Sequence, residues 1–245
     1  MGTIDCSVIV VCKDNLPEVK STLLSLLTQN KISKVIEAII IDDSHDHEIE
    51  KYVKSLHMEN IFYFRGDGIS LYSAMNIGIK NSQGKYLWFL NSGDQKSDNF
   101  NIDLLASENA DIIYGNTNYC LNNKIVRKQL RPGFKFLETD QLNNFLPCHQ
   151  SILFRRQFVI KNKVQYDVNL KISGDYKFIE TLINFGATIL YIPIIISEFK
   201  LGGISNKYKN LRQVISHAKE IKDTRRLSKF KFLVLAIKLC RKLKF

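Results

Sequence analysis

The chain lacks any apolar run near the ~20 residues that a membrane-spanning helix needs, which excludes an integral membrane protein built on hydrophobic spans. Its five cysteines, Cys6, Cys12, Cys120, Cys148 and Cys240, are odd in number, scattered and never spaced as CxxC. A disulfide framework and a structural zinc site are both excluded by that pattern, and a reducing cytoplasm is the expected home. No basic region precedes the SVIVV run at 7–11 and no small-residue cleavage site follows it, so no secretory leader is expected. Glycine cradles are missing as well. No GxGxxG follows the first apolar run, and no GxxxxGK with a following Ser or Thr occurs anywhere, so phosphate is not held by a glycine-rich loop. There is no internal repeat and no low-complexity linker.

What is present is one body of near-neutral charge and a basic end. The 245 residues carry 35 Lys and Arg against 24 Asp and Glu, a net charge of +11. Residues 200–245 alone hold 14 basic side chains against 2 acidic ones. The excess therefore belongs to the last fifth of the chain, which points that end toward an anionic surface, either lipid headgroups or nucleic acid. With 45% hydrophobic residues the remainder can fill one large core.

Short β-rich runs at 6–12, 35–42, 60–65, 86–90 and 110–115 alternate with helical patterns at 18–28, 46–56, 69–81 and about 101–108. Alternation at these lengths predicts βαβ units, hence an α/β fold with a mostly parallel, Rossmann-like central sheet flanked by helices. After Asn116 the pattern becomes mixed. A hairpin is predicted around Asn122 and Asn123, a strand in HQSILFR, a helix over Gly174 to Phe185, a strand in TILYIPIII, a loop at Gly202 and Gly203, and then basic helices. Cys6 and Cys12, an even number of residues apart on the first strand, read as core fillers.

Ligands of open parallel sheets bind at the carboxyl ends of the strands, where connections diverge and leave a crevice. Acids cluster at such ends here: Asp42 and Asp43 close the second strand, Asp67 follows the third, and Asp94 follows the apolar strand YLWFL. Each could be a turn or capping residue taken singly; three on one rim suit a nucleotide and a divalent cation. Mg2+ or Mn2+ takes one or two carboxylates and completes its shell with phosphate oxygens and water.

The order SVIVVCKDN, IIIDDSH, DGISLYSAMNIGIKNSQGKYLWFLNSGD, HQSILFRR and SGDYKF resembles the family 2 inverting glycosyltransferases of GT-A fold, in particular bacterial enzymes of surface polysaccharide synthesis such as O-antigen or colanic acid. The resemblance covers roughly residues 4–205, and its most specific part is the block from Asp67 to Asp94. It implies a 1–205 catalytic domain, with 1–116 binding the nucleotide-sugar and 117–205 carrying the acceptor side and the base, followed by a 206–245 basic amphipathic tail. It also implies roles. Asp43, with Asp42 beside it, corresponds to the acid that contacts base and ribose, Asp67 to a further nucleotide contact, and Asn76 to the helix beneath the diphosphate. Ser92, Gly93 and Asp94 stand at the family's metal motif, where Asp94 alone keeps a carboxylate for Mn2+ or Mg2+. His149, with Gln150, opens a strand passing near the donor phosphates, and Asp175 matches the catalytic base.

The expected activity is transfer of a hexose or N-acetylhexosamine from a UDP-sugar to a lipid-linked saccharide. The expected setting is the cytoplasmic face of the membrane, with no nucleic-acid partner. Two rivals stand beside it. A sugar-nucleotide nucleotidyltransferase would need a glycine-rich basic loop where VVCKDNLPEVK stands, and a nucleic-acid-binding protein would carry its charge among exposed aromatics on a sheet. His45 and His47 read as solvent-facing rather than as zinc ligands, His57 and His217 as surface residues, and Tyr86, Trp88 and Phe89 as core. Gly202, Gly203 and Ser205 form a candidate lid. Residues 229–245, read as a helix, put Phe232, Leu233, Ala236, Ile237, Leu239, Cys240 and Leu243 on one face, opposite Lys231, Lys238, Arg241 and Lys242. That is the pattern of a helix lying in a membrane surface.

Overall fold

The computed structural model describes residues 4–27, 36–122, 124–130, 147–201 and 211–224. Within them β1 (Cys6–Cys12), β2 (Ile36–Asp42), β3 (Ile61–Arg65) and β4 (Tyr86–Phe89) alternate with α1 (Leu16–Leu27), α2 (Glu48–Ser55) and α3 (Leu71–Asn81). Two-residue strand β5 (Gln95–Lys96) and a 3-10 turn at Ile102–Leu105 lead to the hairpin of β6 (Ile112–Leu121) and β7 (Lys124–Gln129). A second 3-10 turn at His149–Ser151 opens β8 (Ile152–Arg155), followed by α4 (Arg156–Lys161), α5 (Gly174–Asn184), β9 (Ile189–Lys200) and α6 (Leu211–Thr224).

One sheet runs β3-β2-β1-β4-β8-β6-β9-β5, with β7 paired to β6. Strands β3, β2, β1 and β4 are mutually parallel, as the βαβ reading predicts. Beyond β4 the sheet turns mixed: β8 joins both β4 and β6 antiparallel, while β6 and β9 run parallel.

Period-two alternation splits the apolar side chains between two faces. Cys6, Val8 and Val10 of β1, Ile40 of β2 and Trp88 of β4 pack with Val19 and Leu23 of α1 and Ile49 and Val53 of α2. Ile9, Ile39, Ile41, Leu87 and Phe89 face the other way, onto Met75 and Ile79 of α3 and Phe178 and Leu182 of α5. Both faces are covered, which is why these strands read as continuous apolar runs. Cys6 and Cys12 are buried free thiols, and Tyr86, Trp88 and Phe89 are wholly buried, as expected of core.

The structure revises several local expectations. The helix expected near 101–108 is one 3-10 turn, with the Asn101 side chain accepting from the Asp103 amide at 3.0 Å. His149 lies in a 3-10 turn rather than on the strand itself. His217, expected at the surface, is buried next to the fully buried Ala218, because α6 seats against the body instead of projecting from it. His45, His47 and His57 are exposed. The first two pair with Asp14 and Glu50 at 2.8 Å. The candidate lid and the 229–245 helix lie outside the described residues. No helix among the described residues is long and apolar enough to cross a membrane.

Candidate active site

The carboxyl ends of β1, β2, β3 and β4 meet along one rim, laced together by backbone hydrogen bonds from Asp43 to Cys12 (3.0 Å), Gly66 to Asp42 (2.7 Å) and Ser92 to Val11 (3.2 Å). The two neighbouring acids of β2 divide the work. Asp42 is fully buried and accepts from the Ser44 amide and the Tyr63 hydroxyl, each at 2.9 Å, so its charge is spent on shaping the turn. Asp43 reaches the rim, where it accepts from Lys13 Nζ at 2.6 Å and the Ile69 amide at 3.0 Å. Burial pushes the Asp43 carboxyl up, but the Lys13 ammonium and the amides of Ile69 and Gly68 outweigh it and hold the group below the usual range. Asp67 is exposed beyond β3.

Asn76 sits on α3 with both ends of its amide engaged. Its Nδ2 donates to the Tyr166 carbonyl at 2.9 Å, and its Oδ1 accepts from the Tyr166 amide at 2.8 Å. In the structure it clamps the segment before α5 to α3.

The turn after β4 depends on Gly93, whose φ of +93° suits glycine. A Cβ there would also meet Glu18 Oε2 at 3.0 Å. Thr22 of α1 closes the turn, its hydroxyl donating to the Asp94 carbonyl at 2.8 Å and accepting from the Gly93 amide at 2.9 Å. Asp94 is buried and accepts from the Lys200 amide at 2.9 Å, at the very end of β9. Trp88 Nε1 donates to the Gln150 carbonyl at 2.7 Å, and Cys148 Sγ donates to Gln150 Oε1 at 3.0 Å. Burial first, then the Glu18 charge, push the Asp94 carboxyl up to about 7, against the pull of Lys200 and Gln150.

No group of three metal-ligating side chains occurs among the described residues. A carboxylate has about four lone-pair sites, and the Lys200 amide donates to Asp94 Oδ1, which leaves an oxygen for a cation contact. The residues fit a cation held by one protein acid, with diphosphate and water completing its shell.

A second cluster, in the core beneath α3 and α5, is aromatic. Tyr72 stacks on Tyr166 with centroids 5.5 Å apart, and Tyr166 on Phe178 at 4.2 Å. His149 is buried beside them, with Nε2 2.7 Å from the Tyr166 hydroxyl and Nδ1 buried without a hydrogen-bond partner among the described residues. Burial keeps its pKa below the usual value, although the Asp175 charge pulls the other way. Asp175 lies in the first turn of α5, where a carboxylate is favoured by the helix dipole. The Gly174 amide donates to the Tyr72 hydroxyl at 2.9 Å, an approach that only glycine permits, since a Cβ would stand 2.4 Å from the Tyr72 ring. Asp175 Oδ1 is buried with no hydrogen-bond partner among the described residues.

The structure thus brings Asp42, Asp43, Ser92, Gly93 and Asp94 to neighbouring strand ends, and gathers His149 and Asp175 around Tyr166. Tyr72, Tyr166 and Lys200 were not visible as site residues in the sequence. Nothing in their local spacing marks them, because each acts on a partner far along the chain.

A mixed sheet with both faces covered and acids at its carboxyl rim is the GT-A fold of nucleotide-sugar-dependent glycosyltransferases. Residues 7–162 match the Glycosyl transferase family 2 domain, and the chain belongs to that family. The poly(ribitol-phosphate) beta-N-acetylglucosaminyltransferase TarP of Staphylococcus aureus (strain N315) is 28% identical over 190 residues, covering 73% of this chain and 57% of TarP. The chain therefore spans a little over half of that relative's length. An uncharacterized glycosyltransferase of Rickettsia bellii (strain RML369-C) is 33% identical over 92 residues, 37% of this chain and 13% of its own length. Among solved structures, S. aureus TarS in complex with UDP-GlcNAc superposes with a TM-score of 0.66 at 16% identity, over 98% of this chain and 72% of that one. GalNAc-T7 with UDP, GalNAc and Mn2+ gives 0.64 at 15% identity, over 90% of this chain and 48% of that one. Identities this low speak for the shared fold alone.

Proposed function

We propose that the protein is an inverting glycosyltransferase that moves a hexose or N-acetylhexosamine from a UDP-sugar to a hydroxyl of a surface-polymer acceptor. The carrying observation is Asp175 Oδ1, a buried carboxylate oxygen without a hydrogen-bond partner among the described residues. A buried acceptor atom left unpaired is costly unless a ligand supplies the donor. An acceptor hydroxyl is such a donor.

In this reading Asp43 fixes the nucleoside at the rim and Asp175 takes the proton from the acceptor hydroxyl. The hydroxyl oxygen bonds to the anomeric carbon as the bond to UDP breaks on the opposite face, so one displacement with one base inverts the centre. Asp94 would hold Mn2+ or Mg2+, which when bound would supply Lewis-acid neutralisation of the leaving group. UDP and UDP-GlcNAc in the TarS structures, and Mn2+ in that of GalNAc-T7, support the donor and cation. TarP's name puts a poly(ribitol phosphate) chain beside a lipid-linked saccharide as the acceptor class.

Asp175→Asn tests the assignment. Turnover is expected to fall at least about a hundredfold, the scale of general-base loss, with UDP affinity nearly unchanged by calorimetry. Retained turnover removes Asp175 from the mechanism.

The basic end suits a peripheral seat on an anionic leaflet, where each Lys or Arg contributes about 1 kcal/mol. Deleting residues 229–245 is expected to release the protein from phosphatidylserine-containing vesicles while turnover of a short soluble acceptor survives. Unchanged co-sedimentation would rule the segment out as the anchor.

A further inference from the structure

We propose that Glu220, on the C-terminal helix α6, is a positioning residue for Asp175, so that this helix is part of the catalytic apparatus and not merely the root of a membrane anchor. The proposal rests on the reading of Asp175 as the base.

Three consecutive amides converge on the Glu220 carboxylate. Lys171 N–H donates to Oε2 at 3.0 Å, and Ile172 and Ser173 N–H each donate to Oε1 at 2.8 Å. These amides immediately precede α5, whose N-cap residue Ser173 provides no side-chain cap of its own, its hydroxyl being buried without a hydrogen-bond partner among the described residues. Helix N-termini carry amides that need outside acceptors, commonly a local Ser, Thr, Asp or Asn. Here the acceptor comes from 47 to 49 residues further along the chain. The next amide, Gly174, is held by Tyr72 from 102 residues earlier. Asp175 follows directly. Its backbone is thus set by two distant clamps, the Tyr72 hydroxyl from α3 and the Glu220 carboxylate from α6.

A carboxylate accepting several backbone amides makes strong charge-assisted bonds, and its charge at this helix end is favoured by the dipole. The seat of α6 is consistent with a fixed carboxylate: His217 and Ala218, one turn before Glu220, are buried. Removing the carboxylate would leave three amides to water and let the first turn of α5 shift. Proton abstraction needs its base within hydrogen-bond reach of the acceptor hydroxyl, so a shift of that turn weakens catalysis and leaves the donor rim alone.

The test uses the full chain with Glu220→Ala, Glu220→Gln and Asp175→Asn, singly and combined. Glu220→Ala is expected to lower kcat by about tenfold or more while UDP affinity stays within about twofold. Glu220→Gln, which keeps an accepting oxygen, recovers part of the rate. Amide exchange at 171–173 quickens in the alanine variant, and adding Glu220→Ala to Asp175→Asn costs little further rate, because a positioning residue has nothing left to position. Unchanged kcat in Glu220→Ala, alongside the normal loss in Asp175→Asn, overturns the proposal alone. A full additive loss in the combined variant, or UDP affinity falling in step with kcat in both Glu220 variants, also overturns it. Full turnover by Asp175→Asn instead overturns the base assignment on which it stands.

Discussion

The donor rim and the first turn of α5 treat their carboxylates in opposite ways. At the rim, Asp42 and Asp43 are paired before any ligand arrives, with Ser44, Tyr63, Lys13 and Ile69 supplying donors. At the first turn of α5, Asp175 keeps an oxygen buried and unpaired among the described residues. On the proposed reading, the pre-paired acids serve recognition and the acid with an unpaired oxygen serves the acceptor hydroxyl. Asp94 lies between these extremes, held by the Lys200 amide while burial pushes its carboxyl up to about 7.

The sharpest way to break this comparison is to exchange its readouts. Asp43→Asn is expected to weaken UDP binding by about tenfold to a hundredfold, the scale of a charged hydrogen bond, and Asp175→Asn to leave it nearly intact. Equal losses of UDP affinity in the two variants, measured by calorimetry, would erase the division between recognition and reaction.

A smaller effect sharpens the intermediate case. The Asp94 carboxyl is raised from 3.8 to about 7 in the fold. The folded state therefore holds the proton more tightly than the unfolded one, and metal-free stability falls as pH rises from about 4 to about 7, then levels off. Asp94→Asn removes that loss. Its melting temperature relative to the unaltered protein is expected to rise by about 2 °C or more between pH 5 and pH 8 in chelator. A pH-independent difference would show that Asp94 is ionised throughout. Because a cation needs the carboxylate, Mn2+-dependent UDP affinity in the unaltered protein is expected to climb over pH 6 to 8, and Asp94→Asn to abolish that climb.

The two regions also differ in how far they were legible. Asp43 and Asp94 could be placed at a rim from sequence because a strand of buried residues ending in Asp, Ser, Asn or Gly has few local alternatives. Asp175 was singled out only through its resemblance to a family motif, since position alone makes it an ordinary acid at a helix start. Asn76 shows the limit from the other side. The resemblance put it on the helix beneath the diphosphate; the structure adds that its amide spans the Tyr166 backbone, 90 residues away, which no local pattern announced.

Sequence by itself determined the alternation of βα units, the two-faced core and the basic excess of the C-terminal end. Each is a periodic or compositional property carried by residues close in the chain, and strand pleat and helix pitch convert such periods directly into faces. Only the tertiary structure decided that β8 inserts antiparallel between β4 and β6, that Asp42 meets Tyr63 while Asp43 meets Lys13, and that α6 returns to place Glu220 on the loop before α5. Those outcomes depend on which distant partner satisfies a buried donor or acceptor. That choice is made by close packing among segments tens of residues apart, and no local pattern records it.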